Sequence, residues 1–75
     1  MKNTSKILSL LLRHKPEAAN LTLDKNGWAD VDELIAKFSK KFFHLDRSIL
    51  ENVVAENNKK RFTFNDDGSK IRANQ

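Results

Sequence analysis

The chain has 75 residues, of which 39% are hydrophobic and 32% charged, with a formal net charge of +4. A chain this short buries only about 60% of the surface its unfolded form exposes, which excludes two lobes around a deep cleft. Its apolar residues fall in periodic blocks, which argues against disorder, and its lack of cysteine excludes disulfides, thiol catalysis and zinc fingers.

No segment approaches the ~18 apolar residues of a membrane span. The apolar run at residues 7–12 is too short for a secretory signal and lacks a small-residue cleavage site. A cytoplasmic protein is therefore expected. The positive charge suits a polyanionic partner, RNA or DNA, and equally suits a surface that only keeps the chain in solution.

In chain order, the first helix is predicted over residues 4–14. Thr4 or Ser5 is placed to cap it, and Ile7, Leu8, Leu11 and Leu12 form an apolar stripe at helical spacing. Pro16 stops it, so Arg13 and His14 fall in its last turn, where the helix dipole favours positive side chains. Leu21-Thr22-Leu23 alternates like a short strand, and Asp24-Lys25-Asn26-Gly27 is a turn signal. Trp28 follows, expected to anchor the loop on the core.

Asp30 is expected to cap a second helix, with Glu33 completing a capping box. Val31, Leu34, Ile35 and Phe38 supply its apolar face, and Ser39-Lys40-Lys41 ends it. A third helix opens at Leu45-Asp46, with Asp46 as cap and Leu45 as a hydrophobic staple. Ile49, Leu50, Val53 and Val54 form its buried face, and Asn57-Asn58 ends it. The tail is predicted to be a hairpin. Phe62, Phe64 and Ile71 point inward, Lys70 and Arg72 outward, and Gly68 sits in a turn that favours a left-handed residue. The fold class expected is α+β and winged-helix-like: three helices, a short strand after the first, and a C-terminal β-hairpin wing.

A winged helix that reads DNA puts its third helix in the major groove. Here that helix carries Arg47 against Asp46, Glu51 and Glu56, and phosphates repel such a surface. Positive charge gathers instead in the wing, at Lys59, Lys60, Arg61, Lys70 and Arg72. Arg13 and His14 draw separate interest, because an arginine fork binds phosphate bidentately and a histidine donates or transfers a proton near neutral pH. The same two residues also fit a solvated arginine and a core-edge histidine, Arg72 fits an ordinary exposed strand residue, and Trp28 fits either a core filler or a base-stacking platform. His14 and His44 have no ligand spacing between them, so no metal is expected.

Leu12-Arg13-His14-Lys15-Pro16-Glu17 resembles the opening signature of the RNA 2′-phosphotransferases, NAD-dependent enzymes of tRNA splicing with bacterial relatives. The likeness continues through Leu21-Thr22-Leu23-Asp24, Asn26-Gly27-Trp28-Ala29-Asp30-Val31 and Asp32-Glu33-Leu34-Ile35. It resumes at Arg61-Phe62 and closes with Ile71-Arg72-Ala73-Asn74-Gln75. Nearly the whole chain is covered, with the motifs in order.

The resemblance implies a two-lobed enzyme, with an N-terminal winged helix that engages RNA and a C-terminal lobe, similar to ADP-ribosyltransferases, that holds NAD. It implies that an RNA 2′-phosphate attacks the nicotinamide ribose and releases nicotinamide. The neighbouring ribose hydroxyl then displaces the RNA hydroxyl, leaving RNA and ADP-ribose 1″,2″-cyclic phosphate. By the same resemblance Arg13, His14 and Arg72 belong to the catalytic site and clamp the 2′-phosphate, and Lys15, Lys70, Asn74 and Gln75 are expected to touch RNA. Such enzymes continue past the Ala-Asn-Gln motif with Gly-His-Ser and the NAD lobe, whereas this chain stops at Gln75. Residues 1–75 are thus expected to be one N-terminal RNA domain of a longer protein. The expected partners are tRNA-like RNA carrying a 2′-phosphate and the missing lobe. NAD is then a co-substrate of the whole enzyme, not expected to bind these residues tightly. The chain is expected to be monomeric, to bind RNA weakly and to show no turnover alone. A stand-alone winged-helix binder of nucleic acid, or a protein-interaction module, stays open beside this reading.

Overall fold

The computed structural model of the chain describes residues 3–56 and 61–74. Helix α1 (Thr4–Ser9) runs directly into a π-helical turn, Leu10–His14. Leu8, Leu11 and Leu12 are buried and Ile7 packs beside them, as one apolar face at helical spacing requires. The start differs from expectation. Asn3 occupies the cap without a side-chain hydrogen bond, and Thr4 is buried within the helix. Before Pro16 the backbone of Lys15 leaves the helical region (φ −137°, ψ 72°), because a proline ring clashes with a helical predecessor. A 3-10 turn, Pro16–Ala19, then closes on Asn20 in the left-handed conformation (φ 56°), which asparagine tolerates better than most residues.

The strand expected at Leu21-Thr22-Leu23 is displaced along the chain. Strand β1 is Ala29–Asp30, and Leu23 contributes only a bridge to Ala29. The reason lies in hydrogen bonding. The Thr22 N–H donates to the Glu33 carboxylate at 3.1 Å, so this segment is tied to the next helix while the residues beyond the turn join the sheet.

That helix, α2 (Val31–Lys41), buries Val31, Leu34 and Phe38, with Ile35 partly covered. Asp30 caps it as expected, accepting the Glu33 N–H at 3.1 Å. The reciprocal half of the capping box does not form, because Glu33 is engaged by Thr22 and by Lys37 at 3.4 Å. Past α2, Ser39 holds the turn by accepting the Leu45 N–H and donating to the Leu45 carbonyl, both at 2.9 Å. Helix α3 (Arg47–Glu56) is capped by Asp46, which accepts the Ile49 N–H at 2.8 Å. Leu45 and Leu50 are buried, and Ile49, Val53 and Val54 lean on the same core. The expected end of α3 at Asn57-Asn58 lies outside the described residues.

Strands β2 (Phe62–Phe64) and β3 (Lys70–Ala73) form the expected hairpin, pairing Phe62 with Ala73, Thr63 with Arg72 and Phe64 with Ile71. Asn65 and Asp67 organise its turn by accepting the N–H groups of Lys70 and Ser69, both at 2.9 Å. Gly68 is left-handed (φ 74°), and a Cβ there would lie 2.8 Å from Arg47 Nη2. That close approach exists because Arg47 donates to the Gly68 carbonyl. Arg47 also pairs with Glu51 at 3.3 Å and lies 5.9 Å from the Phe64 ring, so it ties α3 to the hairpin.

The sheet has the order β1-β3-β2, with both pairings antiparallel. Ala29, Phe62, Ile71 and Ala73 face the helices and are buried. The architecture is α+β, three α-helical segments against a small three-stranded antiparallel sheet among the described residues. Among these residues no helix is long and apolar enough to cross a membrane.

Phe38 is fully buried with its ring centroid 5.2 Å from those of both Phe42 and Phe43. Phe38→Ala is expected to cost about 3–5 kcal/mol. That matches the roughly 3–5 kcal/mol a core of this size supplies. Urea titration followed by far-ultraviolet circular dichroism should find the variant largely unfolded without denaturant.

Candidate functional site

The outer face of the sheet carries the residues of interest. Strand alternation sends Ile71 and Ala73 inward and Arg72 outward. The pairing of Ala29 with Ile71 and Asp30 with Lys70, continued by one residue, sets Trp28 opposite Arg72. The Arg72 guanidinium lies 4.8 Å from the centroid of the Trp28 ring, within cation–π range. Its Nη1 reaches the Asn26 carbonyl at 3.5 Å. Its Nε is buried and has no hydrogen-bond partner among the described residues.

The core-filling expectation for Trp28 is corrected, while Arg72 faces outward as expected. Trp28 is half-buried outside the central core, and Arg72 is half-buried, not an ordinary exposed strand residue. The loop expectation survives in another form, because the turn before Trp28 is tightly organised. Asp24 Oδ1 accepts the Asn26 N–H at 2.8 Å and the Trp28 N–H at 3.0 Å, and Gly27 is left-handed (φ 86°). The Trp28 and Asn26 N–H groups, with Lys70 nearby, hold the Asp24 carboxyl below its ordinary value of 3.8.

Arg72 lines a cleft of about 470 Å³ with Leu12, Asn26, Gly27, Ala73 and Asn74. Trp28 lines a second hollow of about 540 Å³, whose other walls include Asp24, Thr63, Asn65 and Lys70. The first cleft receives Leu12, the residue before Arg13, so the end of the first helix and β3 meet at one place.

Arg13, His14 and Lys15 are all exposed there. His14 was expected at the edge of the Ile7/Leu11 stripe, on the assumption of about 100° per residue. The Lys15 N–H instead donates to the Leu10 carbonyl at 2.7 Å, five residues back, and this wider turn carries His14 into solvent. Such π-turns recur at functional sites. No hydrogen bond or ion pair among the described residues joins Arg13 or His14 to Arg72.

Lys70 is exposed and 3.8 Å from Asp24, a surface pair of small energetic weight. Asn74 is half-buried, and its N–H donates to the Arg61 carbonyl at 2.6 Å. Gln75, and the wing lysines Lys59 and Lys60, lie outside the described residues. Sequence patterning did not single out the Asn26 carbonyl or the pairing of Trp28 with Arg72. The signal that finds them is the strand register, which depends on β1 lying at Ala29.

Residues 1–75 match the family described as RNA 2′-phosphotransferase, Tpt1 / KptA family. The chain belongs to that family. It is 60% identical over 70 residues to a probable RNA 2′-phosphotransferase of Fusobacterium nucleatum, covering 93% of this chain and 39% of the relative. It is 58% identical over 74 residues to one of Flavobacterium johnsoniae, covering 99% of this chain and 41% of that protein. A third, from Escherichia coli, is 51% identical over 75 residues, all of this chain and 41% of the relative. The chain thus spans about two-fifths of the length of these relatives. Leu12, next to Arg13 in the chain, and Arg72 line the same cleft.

A carboxyl whose folded pKa lies below its unfolded value stabilises the fold above the unfolded value and ceases to as pH falls through the folded one. Asp24 is such a group, and so are Asp46, held down by the Ile49 N–H and by His44, and Asp67, held down by the Ser69 hydroxyl and N–H. Thermal melts should therefore show Tm falling as pH drops below about 4. In Asp24→Asn the fall should be shallower, and the Trp28 fluorescence change that accompanies acidification of the parent chain should be reduced.

Proposed function

We propose that this chain is the N-terminal, RNA-engaging lobe of an RNA 2′-phosphotransferase. On this reading the whole enzyme moves an internal RNA 2′-phosphate onto NAD, giving plain RNA, nicotinamide and ADP-ribose 1″,2″-cyclic phosphate. The observation that carries the proposal is the family match over residues 1–75, together with a guanidinium, that of Arg72, held in a cleft beside the Arg13-His14 turn. A winged-helix assignment is supported by the element order α1–β1–α2–α3–β2–β3 and by β3 lying between β1 and β2.

Arg13, His14 and Arg72 serve the 2′-phosphate, which carries up to two negative charges and needs several fixed donors. Loss of one preorganised donor of this kind typically costs ~10²–10³ in rate. Lys15, Lys70, Asn74 and Gln75 touch the RNA around it. The cleft beside Arg72 suits a phosphate. The chain has only two glycines, too few for a glycine-rich phosphate loop. NAD is therefore assigned to the portion of the relatives that these residues do not cover. These residues alone bind RNA weakly and do not turn over. The setting is cytoplasmic, and the RNA resembles tRNA.

A DNA-reading role for α3 is disfavoured. Its exposed side carries Glu51 and Glu56, and its Arg47 is occupied by Glu51 and by the Gly68 carbonyl.

The test titrates the 75-residue chain at low salt, where phosphate contacts are strongest, with a short RNA bearing an internal 2′-phosphate and with the same RNA lacking it. Nuclear magnetic resonance shifts of Arg13, His14 and Arg72 should move together, and further with the phosphorylated RNA. Equal, diffuse shifts with both RNAs would sink the assignment.

A further inference from the structure

We propose that Trp28 is a positioning residue for Arg72: its indole is the shelf that holds the guanidinium of a residue lining the 470 Å³ cleft. The inference rests on the proposed phosphate role of Arg72. It goes beyond that role by assigning a task to a residue that never needs to touch RNA.

Three observations support it. First, an arginine on a strand loses rotamer freedom when it holds a phosphate in one geometry. Here that freedom is already restricted, because the guanidinium lies 4.8 Å from the Trp28 centroid with Nη1 at the Asn26 carbonyl. Second, the Nε is buried and unpartnered among the described residues. A buried donor without a partner costs stability, and the cation–π contact with Trp28 offsets it. With Nε enclosed, the Nη groups are the donors left for the cleft. Third, the shelf is itself fixed. Asp24 accepts the Asn26 and Trp28 N–H groups, Leu23 bridges Ala29, and β1 pairs with β3 in a register that sets Trp28 opposite Arg72. The turn that positions the ring therefore also positions the Asn26 carbonyl, and both act on one side chain.

A merely space-filling tryptophan would tolerate replacement by an aliphatic side chain. A cation–π shelf requires an aromatic face, so phenylalanine should keep part of the effect and leucine none.

The experiment uses the 75-residue chain, Trp28→Leu, Trp28→Phe, Arg72→Lys and the Trp28→Leu/Arg72→Lys double variant. Two readouts are taken, with Tm as the check on folding. One is the nuclear magnetic resonance signal of the Arg72 Nε–Hε group in free protein. The other is the ratio of Kd for plain RNA to Kd for RNA with an internal 2′-phosphate. In the parent chain the Arg72 Hε should be displaced upfield by the indole ring current and should exchange slowly with water. Trp28→Leu should abolish the displacement and reduce the 2′-phosphate preference about tenfold, with Trp28→Phe losing only about two- to threefold. In the double variant, Trp28→Leu should add little to the loss caused by Arg72→Lys, as for two residues acting through one contact.

An undisplaced, rapidly exchanging Arg72 Hε in the parent chain would overturn the inference whatever RNA does. So would a Trp28→Leu variant that keeps the parent's 2′-phosphate preference. If the parent shows no preference while its Arg72 Hε is displaced and Trp28→Leu abolishes that displacement, the phosphate role of Arg72 fails and the shelf stands. Should Trp28→Leu fail to fold, Trp28→Phe decides: an Hε position and a preference both intermediate support the shelf, and parent-like values of both overturn it.

Discussion

Strand β3 does two jobs on alternate residues. Ile71 is fully buried and Ala73 nearly so, and both lie between the helices and the partner strands. Lys70 and Arg72 leave by the opposite face. Because β3 is the central strand, flanked by β1 and β2, any slip of its register would exchange these two sets. A one-residue slip turns every side chain to the other face. Core and candidate site are thus held by the same hydrogen-bond ladder, and the position of Arg72 is as well determined as that of Ile71.

Helix ends and turns supply the remaining order. Asp30 and Asp46 cap α2 and α3, and Asp24, Asn65 and Asp67 each accept backbone N–H groups of the turns they occupy. These short polar residues sit in loops for a common reason: their side chains satisfy donors that neither helix nor sheet can reach. Arg47 adds a long-range tie, linking α3 to the carbonyl of Gly68. In a chain with so small a core, such ties add to the burial of Phe62, Ile71 and Ala73 in holding the hairpin to the helices.

Charge is distributed in keeping with this division. The exposed side of α3 is acidic and its arginine is occupied within the fold. Basic residues with no partner among the described residues, such as Arg13 and Lys15, gather at the end of the first helix. Beside them the Arg72 cleft opens, lined in part by Leu12. The π-turn at Leu10–His14 joins these features, because it brings Leu12 inward while sending Arg13 and His14 to solvent.

Much of this was legible in the amino-acid order alone. The 3.6-residue spacing of Leu8, Leu11 and Leu12, of Val31, Leu34 and Phe38, and of the residues around Leu50 determined three helices and their buried faces. Asp30 and Asp46 marked two of the starts, and alternation about Phe62, Phe64 and Ile71 determined the hairpin. These are local effects, each settled by neighbours within a few residues. Family membership was also legible, since it rests on the motifs themselves. Tertiary structure alone decided the rest. Which residues pair as β1, the diversion of Glu33 from its capping box to Thr22, and the seat of Arg72 on Trp28 all depend on contacts between distant segments. No local preference encodes them: a backbone donor or a guanidinium takes the partner that folding brings within reach, and that partner lies many residues away.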